Sequence, residues 1–186
     1  MILSKGHRRR KYFEKQALSH LNPLYFFALK LTGHREDAED LVQESYQKAY
    51  SRLDQLRDLE KWKPWLYSIM VNTWKNWRVR KGREFIPDSF EEWEGSLDHH
   101  VYGNPQWKQK DPEADLLGKE VRAIVELALV DLHPDYRMAI ILSDIEGFSY
   151  REISQMVDWP IGTVMSRLSR ARALLRKSLR RYKEET

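Results

Sequence analysis

Glu146–Lys177 reads EGFSYREISQMVDWPIGTVMSRLSRARALLRK, and its punctuation decides the fold. Gly147 ends one helix, and Ser149 with Glu152 three residues later forms a capping box that starts the next. That helix stops at Val157, because Asp158, Trp159, Pro160 and Ile161 cannot continue it, and a longer helix starts at Gly162-Thr163. Two helices joined by about four turn residues, the second far more basic, predict a DNA-binding helix-turn-helix. Stepping about 100° per residue from Val164 gathers Leu168, Ala171 and Leu175 on a buried stripe and turns Ser166, Ser169, Arg170 and Ala173 outward. Small polar side chains with an arginine near the front of such a helix suit the major groove, where Arg bonds guanine bidentately. Arg167, Arg172 and Arg176 lie on the flanks and suit phosphates. A helical hairpin with an incidental basic face is the alternative.

Working outward, Trp62–Trp77 (WKPWLYSIMVNTWKNW) holds four of the seven tryptophans. Pro64 suits a first helical turn, where its missing N–H had no partner to lose. From Trp62, helical geometry collects Leu66, Ile69, Met70, Thr73 and Trp77 on one side as the core stripe. Tyr67, Val71, Trp74, Lys75 and Arg78 fall on the other. Rings between cations on an open face suit an unpaired nucleic-acid strand, since bases stack on the rings while Lys and Arg meet the phosphates. The same side chains could instead pack on a neighbouring segment.

Upstream, GHREDAEDLVQESYQKAY places Glu36, Asp37, Glu39, Asp40 and Glu44 in an otherwise basic half. Leu41, Val42, Ser45, Ala49 and Leu53 supply the buried side, leaving Asp40, Gln43, Glu44 and Gln47 outward. A magnesium-dependent nuclease would use carboxylates, but these all come from one helix, and those in its first turn are favoured by the helix dipole. An acidic face would repel DNA, so it predicts a protein partner with a basic face. No phosphate-binding glycine loop, HExxH or G-x-S-x-G occurs, and neither a cofactor nor a metal site is expected.

The 186 residues carry a net charge of +4, no cysteine and 41% hydrophobic residues. The charge is unevenly spread. Residues 1–83 have 18 basic against 9 acidic side chains, residues 84–115 have 2 against 9, and residues 116–186 have 12 against 10. Two basic units about an acidic segment predict two contacts with one polyanion. The middle segment, with its prolines and no helical period, reads as a linker whose aromatics argue against full disorder. Helices are predicted near 11–32, 35–53, 64–82, 113–131, 134–144, 150–157 and 162–182, with strand signals absent. The expected fold is all-α, with two small helical domains joined by a flexible acidic linker. No apolar run spans a membrane and no signal-peptide core follows the basic start, so a cytoplasmic protein is expected.

In this order the segments resemble the extracytoplasmic-function (ECF) group of bacterial sigma factors, within the sigma-70 family, over roughly Leu18 to Leu179. LTGHREDAEDLVQESYQKAY is similar to the family's segment that docks on the clamp helices of the polymerase's beta-prime subunit. WLYSIMVNTWKNWRVRKGR resembles the promoter-melting and minus-10 segment. LHPDYRMAIILSDIEGFSYREISQMVDWPIGTVMSRLSRARALLRK resembles domain 4, which reads the minus-35 element.

The resemblance implies a non-enzymatic initiation factor for a stress- or signal-responsive regulon, with sigma domain 2 at 1–83, a linker at 84–115 and sigma domain 4 at 116–186. It puts Asp40, Gln43 and Glu44 on core RNA polymerase, whose beta-prime and beta subunits are the expected contacts. It puts Tyr67, Asn72, Trp74, Lys75, Asn76, Arg78 and Arg80 at the melted minus-10 DNA, with the loop Asp54 to Lys61 and the two amides around a flipped base. Thr163, Met165, Ser166, Arg167, Ser169 and Arg170 fall at the minus-35 duplex. Leu56, Asn76 and Met165 depart from the residues usual there, so the promoter sequence does not transfer from relatives. A cognate anti-sigma factor is a further expected partner. A stand-alone helix-turn-helix regulator is the alternative, although it would need neither the acidic docking helix nor the aromatic face.

Overall fold

The computed structural model describes residues 5–80 and 124–184, and every element among them is helical. In the first unit, α1 (Lys5–Thr32) is followed by α2 (Arg35–Ser51), two short 3-10 turns at Leu53–Gln55 and Leu59–Lys61, and α3 (Trp62–Arg80). In the second, α4 (124–130) precedes α5 (Pro134–Ile140). The latter runs into a π-helical turn, Ile141–Ile145, before α6 (Tyr150–Val157) and α7 (Ile161–Glu184). α1 begins at Lys5 rather than near residue 11. The linker expected at 84–115 and the front of the helix expected at 113–131 lie outside the described residues.

Local chemistry sets the helix ends. Gly33 takes a left-handed φ of 76° that an L side chain rarely adopts, and its N–H closes α1 on the Leu29 carbonyl at 2.8 Å. Pro134 opens α5, with His133 Nδ1 accepting from the Asp135 N–H. The capping box predicted for α6 is present: Ser149 Oγ accepts from the Glu152 N–H, and the Glu152 carboxylate accepts from the Ser149 N–H at 2.8 Å. Asp158, at φ 57°, then terminates α6 in the left-handed region.

α1, α2 and α3 pack around Leu24, Phe27, Leu41, Leu66 and Met70, all fully buried. At one end Phe13 and Tyr12 meet the Trp62 ring edge to face, at 5.3 and 6.2 Å between centroids. The second unit closes on Met138, Ile141, Leu142, Ile153, Val164 and Leu168. Val164, Leu168 and Ala171 are buried as the periodicity required, and Leu174 completes the stripe, with Leu175 at its half-buried edge.

The two cores are continuous. α6 lies against α3, and Phe148, just before α6, sets its ring on Tyr67 at 5.1 Å. Arg137 of α5, 2% exposed, donates to the Lys30 and Leu31 carbonyls at the end of α1, both at 3.4 Å. It also donates to Val130 O at 2.7 Å and Leu132 O at 3.2 Å within its own unit. The last carbonyls of a helix have no partner within it, so this guanidinium satisfies one unit's helix end with the other unit's side chain.

Trp62 is 2% exposed, and its indole N–H is buried without an acceptor among the described residues. Trp62→Ala should therefore lower unfolding stability by about 3–5 kcal/mol. Trp62→Phe should cost clearly less, because it keeps most of the ring and removes an unsatisfied donor. Urea titrations of the two variants beside wild type check the ranking.

Candidate nucleic-acid and polymerase-docking surfaces

The acidic face of α2 forms one wall of an open groove lined by Asp40, Gln43, Glu44, Gln47, Lys48, Ser51 and, from α3, Trp77. Asp40, Gln43 and Gln47 are exposed, with no hydrogen bond or ion pair among the described residues. Glu44 is different. Its carboxylate receives Lys48 Nζ at 2.6 Å, the Trp77 indole N–H at 2.5 Å, and Arg80 Nη2 at 3.4 Å and 3.5 Å. Partial burial alone would raise its pKa; the Lys48 and Trp77 hydrogen bonds, with the Lys48 and Arg80 charges, hold it below the ordinary carboxylate value. Glu44 thus organises the groove, and its oxygens are already engaged inside the chain. The sequence expected it to face outward. The antiparallel packing of α2 on α3, which brings Trp77 over it, supplies the difference. Trp77 itself, expected in the core, is only half-buried.

Helix α3 presents its amides outward: Asn72, Asn76 and Arg80 are exposed. The rest of the expected strand-binding face is covered in this arrangement, which corrects its predicted exposure. Tyr67 is fully buried and Trp74 is 4% exposed. The Tyr67 hydroxyl donates to Glu146 Oε2 at 2.6 Å; burial first, then the Glu146 carboxylate, raise its pKa far above the ordinary value, so it stays a donor. Lys75 Nζ donates to the Val157 carbonyl at 2.8 Å. Arg78 lies 4.9 Å over the Trp74 ring and pairs with Asp135 at 3.3 Å. Periodicity identified this as a second, mixed face of α3 but could not say that α6 and the start of α5 would cover it.

On α7, Met165, Ser166, Ser169 and Arg170 are exposed side by side, and Thr163 is half-buried at the front. Arg167, expected on phosphates, is turned inward. Its guanidinium stacks on Trp159 at 3.9 Å and pairs with Asp135 at 3.1 Å without hydrogen-bond geometry. Arg172, also expected on a flank, is held by Asp144 at 2.7 Å and by the Tyr150 hydroxyl at 3.3 Å. Arg176 remains exposed.

Sequence reading missed Asp135, Glu146 and Arg137 as cross-unit residues. Asp135 looks like an ordinary first-turn acid, and its partner Arg78 lies 57 positions away, so no local pattern could reveal the pair. Among the described residues no group of three or more His, Asp or Glu could hold a metal ion, and no helix is long and apolar enough to cross a membrane.

A basic helix-turn-helix after a three-helix unit, with every element helical among the described residues, is the architecture of a DNA-recognition class. The chain matches the family "Sigma-70 region 2" over residues 17–84 and "Sigma-70, region 4" over residues 122–175. It is 41% identical over 136 residues to the ECF RNA polymerase sigma-E factor of Salmonella typhimurium (strain LT2), spanning 73% of this chain and 70% of that one. The Escherichia coli (strain K12) protein of that name is 40% identical over the same shares. The solved sigma factor RpoE of Bartonella quintana, in complex with the anti-sigma factor NepR, superposes with a TM-score of 0.70 at 30% identity, covering 90% of this chain and 96% of that one. The chain belongs to the ECF sigma factors of the sigma-70 family. The helix-turn-helix regulator alternative is not favoured.

Glu44 supplies a pH test. Its depressed folded pKa means that its contribution to stability is complete above the unfolded carboxylate value and is lost as pH falls through the folded one. Glu44→Gln should be less stable than wild type at neutral pH by about 1–3 kcal/mol, and the gap should begin to shrink as pH falls below the unfolded glutamate value of about 4.3. Thermal unfolding across pH 3 to 7 would check this; a constant gap would mean that the carboxylate charge contributes nothing.

Proposed function

We propose that this sigma factor binds core RNA polymerase in the cytoplasm and directs it to the promoters of a stress- or signal-responsive regulon. The polymerase carries out the RNA chemistry. Residues 1–83 act as domain 2, 84–115 as the linker and 116–186 as domain 4. The observation that carries the reading is the outward row Met165, Ser166, Ser169 and Arg170 at the front of a helix otherwise seated on its own core. That row has the size and polarity of a major-groove reader.

Asp40, Gln43 and Gln47 face the beta-prime clamp helices, with Glu44 holding the groove in shape, and domain 4 meets the beta subunit. Asn72 and Asn76 read a base flipped from the minus-10 strand, because an amide offers donor and acceptor together to a base edge. The Asp54 to Lys61 loop and Arg80 flank it. Tyr67, Trp74, Lys75 and Arg78 join that surface once the two domains part, and Thr163 and Arg167 join the minus-35 contact. An anti-sigma factor, as in the Bartonella quintana complex, would hold the protein inactive.

Asp40→Arg should weaken binding to core polymerase by an order of magnitude or more, through like-charge repulsion at a complementary interface. Glu44→Gln should do less, since that carboxylate is already engaged. Arg170→Ala should cost about 1–3 kcal/mol on the cognate minus-35 duplex and relax preference at one base pair. Asn72→Ala and Asn76→Ala should leave duplex binding intact yet impair transcription, even from a template pre-melted at minus-10. Transcription reconstituted from core polymerase and a duplex or pre-melted promoter measures all of these. A wild-type protein that fails to confer promoter-dependent transcription would reject the reading.

A further inference from the structure

The loop between α2 and α3, which the proposed function places beside the flipped minus-10 base, is not shaped by its own residues alone. Leu53 and Leu56 sink into the core of the first unit, while Asp54, Gln55, Arg57, Asp58 and Glu60 are exposed. Inside the loop the chain supplies short turns: the Leu56 N–H donates to Leu53 O at 3.2 Å, and the Asp58 carboxylate accepts from the Glu60 N–H at 3.0 Å. Such turns leave outward carbonyls to be met by water or by another part of the chain.

Two side chains of α1, three positions apart and so on one face of that helix, meet them. The Tyr12 hydroxyl donates to the Leu59 carbonyl at 2.8 Å, across 47 positions of sequence. Arg9 Nη1 reaches both the carbonyl and the carboxylate of Asp54, at 3.3 and 3.4 Å. One strut thus stands at each end of the loop, with Arg57 and Asp58 between them. The struts are themselves braced, because Tyr12 and its neighbour Phe13 set their rings on Trp62, the first residue of α3, at 6.2 and 5.3 Å. Burial first, then the Glu60 and Asp58 carboxylates, raise the Tyr12 pKa, so the phenol keeps the proton it donates. Arg9 lies ahead of residue 11, near which periodicity starts the helix. Anchoring the front of α1 to its unit would explain the ring packing on Trp62. It would not explain why both polar contacts end on the loop.

We infer that Arg9 and Tyr12 are positioning residues for promoter reading: they fix the loop from Asp54 to Lys61 in the shape that accepts a flipped base, without touching DNA themselves. A flipped base is read by hydrogen bonds to its edge, and discrimination needs the reading groups held in place before the base arrives. A slack loop loses on two counts. Ordering it weakens binding of every base, and a surface free to adjust also re-packs around the wrong one. This inference rests on the minus-10 assignment of the loop, and a variant in the loop itself separates the two claims.

The experiment is transcription by core polymerase with the full-length protein, from a library in which the minus-10 element is randomised and the minus-35 element kept. Tyr12→Phe retains the ring on Trp62 and removes only the donor. It should lower the preference for the favoured base at one minus-10 position about threefold or more, since one neutral hydrogen bond is worth a factor of about 2 to 13. Arg9→Ala should flatten the same position, and Arg9→Lys, which keeps a cation near Asp54, should recover part of the preference. Preferences at the other minus-10 positions and affinity for a minus-35 duplex should stay at wild type. A purely structural role would lower activity on every template alike, and that outcome, or unchanged preferences in both Tyr12→Phe and Arg9→Ala, overturns the inference. Arg57→Ala with Asp58→Ala tells the two claims apart. If that pair flattens the position while Tyr12→Phe and Arg9→Ala do not, the loop reads the base and the struts are incidental; if none of the variants changes a preference, the loop assignment falls as well.

Discussion

Helix α3 has to be buried on two sides, and much of the molecule is arranged to satisfy it. One side, through Leu66, Ile69 and Met70, seats on α1 and α2. The other carries Tyr67, Val71 and Trp74, and leaving these in water would forfeit roughly 2 kcal/mol or more for each large side chain. Within the first unit only the Phe27 ring of α1, 4.9 Å from Tyr67, reaches that side among the described residues. Phe148 and α6 of the second unit cover it, so the helix-turn-helix is held against the helix that the proposal assigns to the melted strand. The hydroxyl of Tyr67 makes the arrangement specific, because a buried O–H needs an acceptor and Glu146 provides it.

Around this apolar contact and beyond it, several basic side chains are paired with carboxylates of the chain itself. Arg78 and Arg167 share Asp135, Lys63 is held by Glu146, Arg172 by Asp144, and Lys48 and Arg80 by Glu44. A chain with this much positive charge folds compactly only if its cations find partners or point away from one another. Others, Arg170 and Arg176 among them, remain outward.

The open groove between α2 and α3 follows the same logic on a smaller scale. A carboxylate on a helix face looks available when read by period, yet Glu44 is the hub of a hydrogen-bonded cluster, while Asp40, Gln43 and Gln47 keep their polar groups unspent. An interface built this way presents a preorganised surface and loses little side-chain freedom on binding.

Sequence by itself was enough for whatever depends on neighbours along the chain. The capping box at Ser149 and Glu152, the stop at Asp158, the glycine cap at Gly33 and the buried stripe Val164, Leu168 and Ala171 are all short-range, because helix geometry converts spacing directly into a face. Order and motif together placed the chain among the ECF sigma factors. Tertiary structure alone decided which faces meet. Tyr67 and Trp74 are rings on a mixed face in either reading, and contacts with distant segments, Phe27 and Phe148 on Tyr67 and α6 against α3, accompany their burial. Arg78 is a cation beside an aromatic until Asp135, 57 positions away, closes on it. The physical reason is that helical period reports which side of a helix is apolar, whereas the identity of the covering surface is set by contacts between segments far apart in the chain, which carry no trace in local spacing.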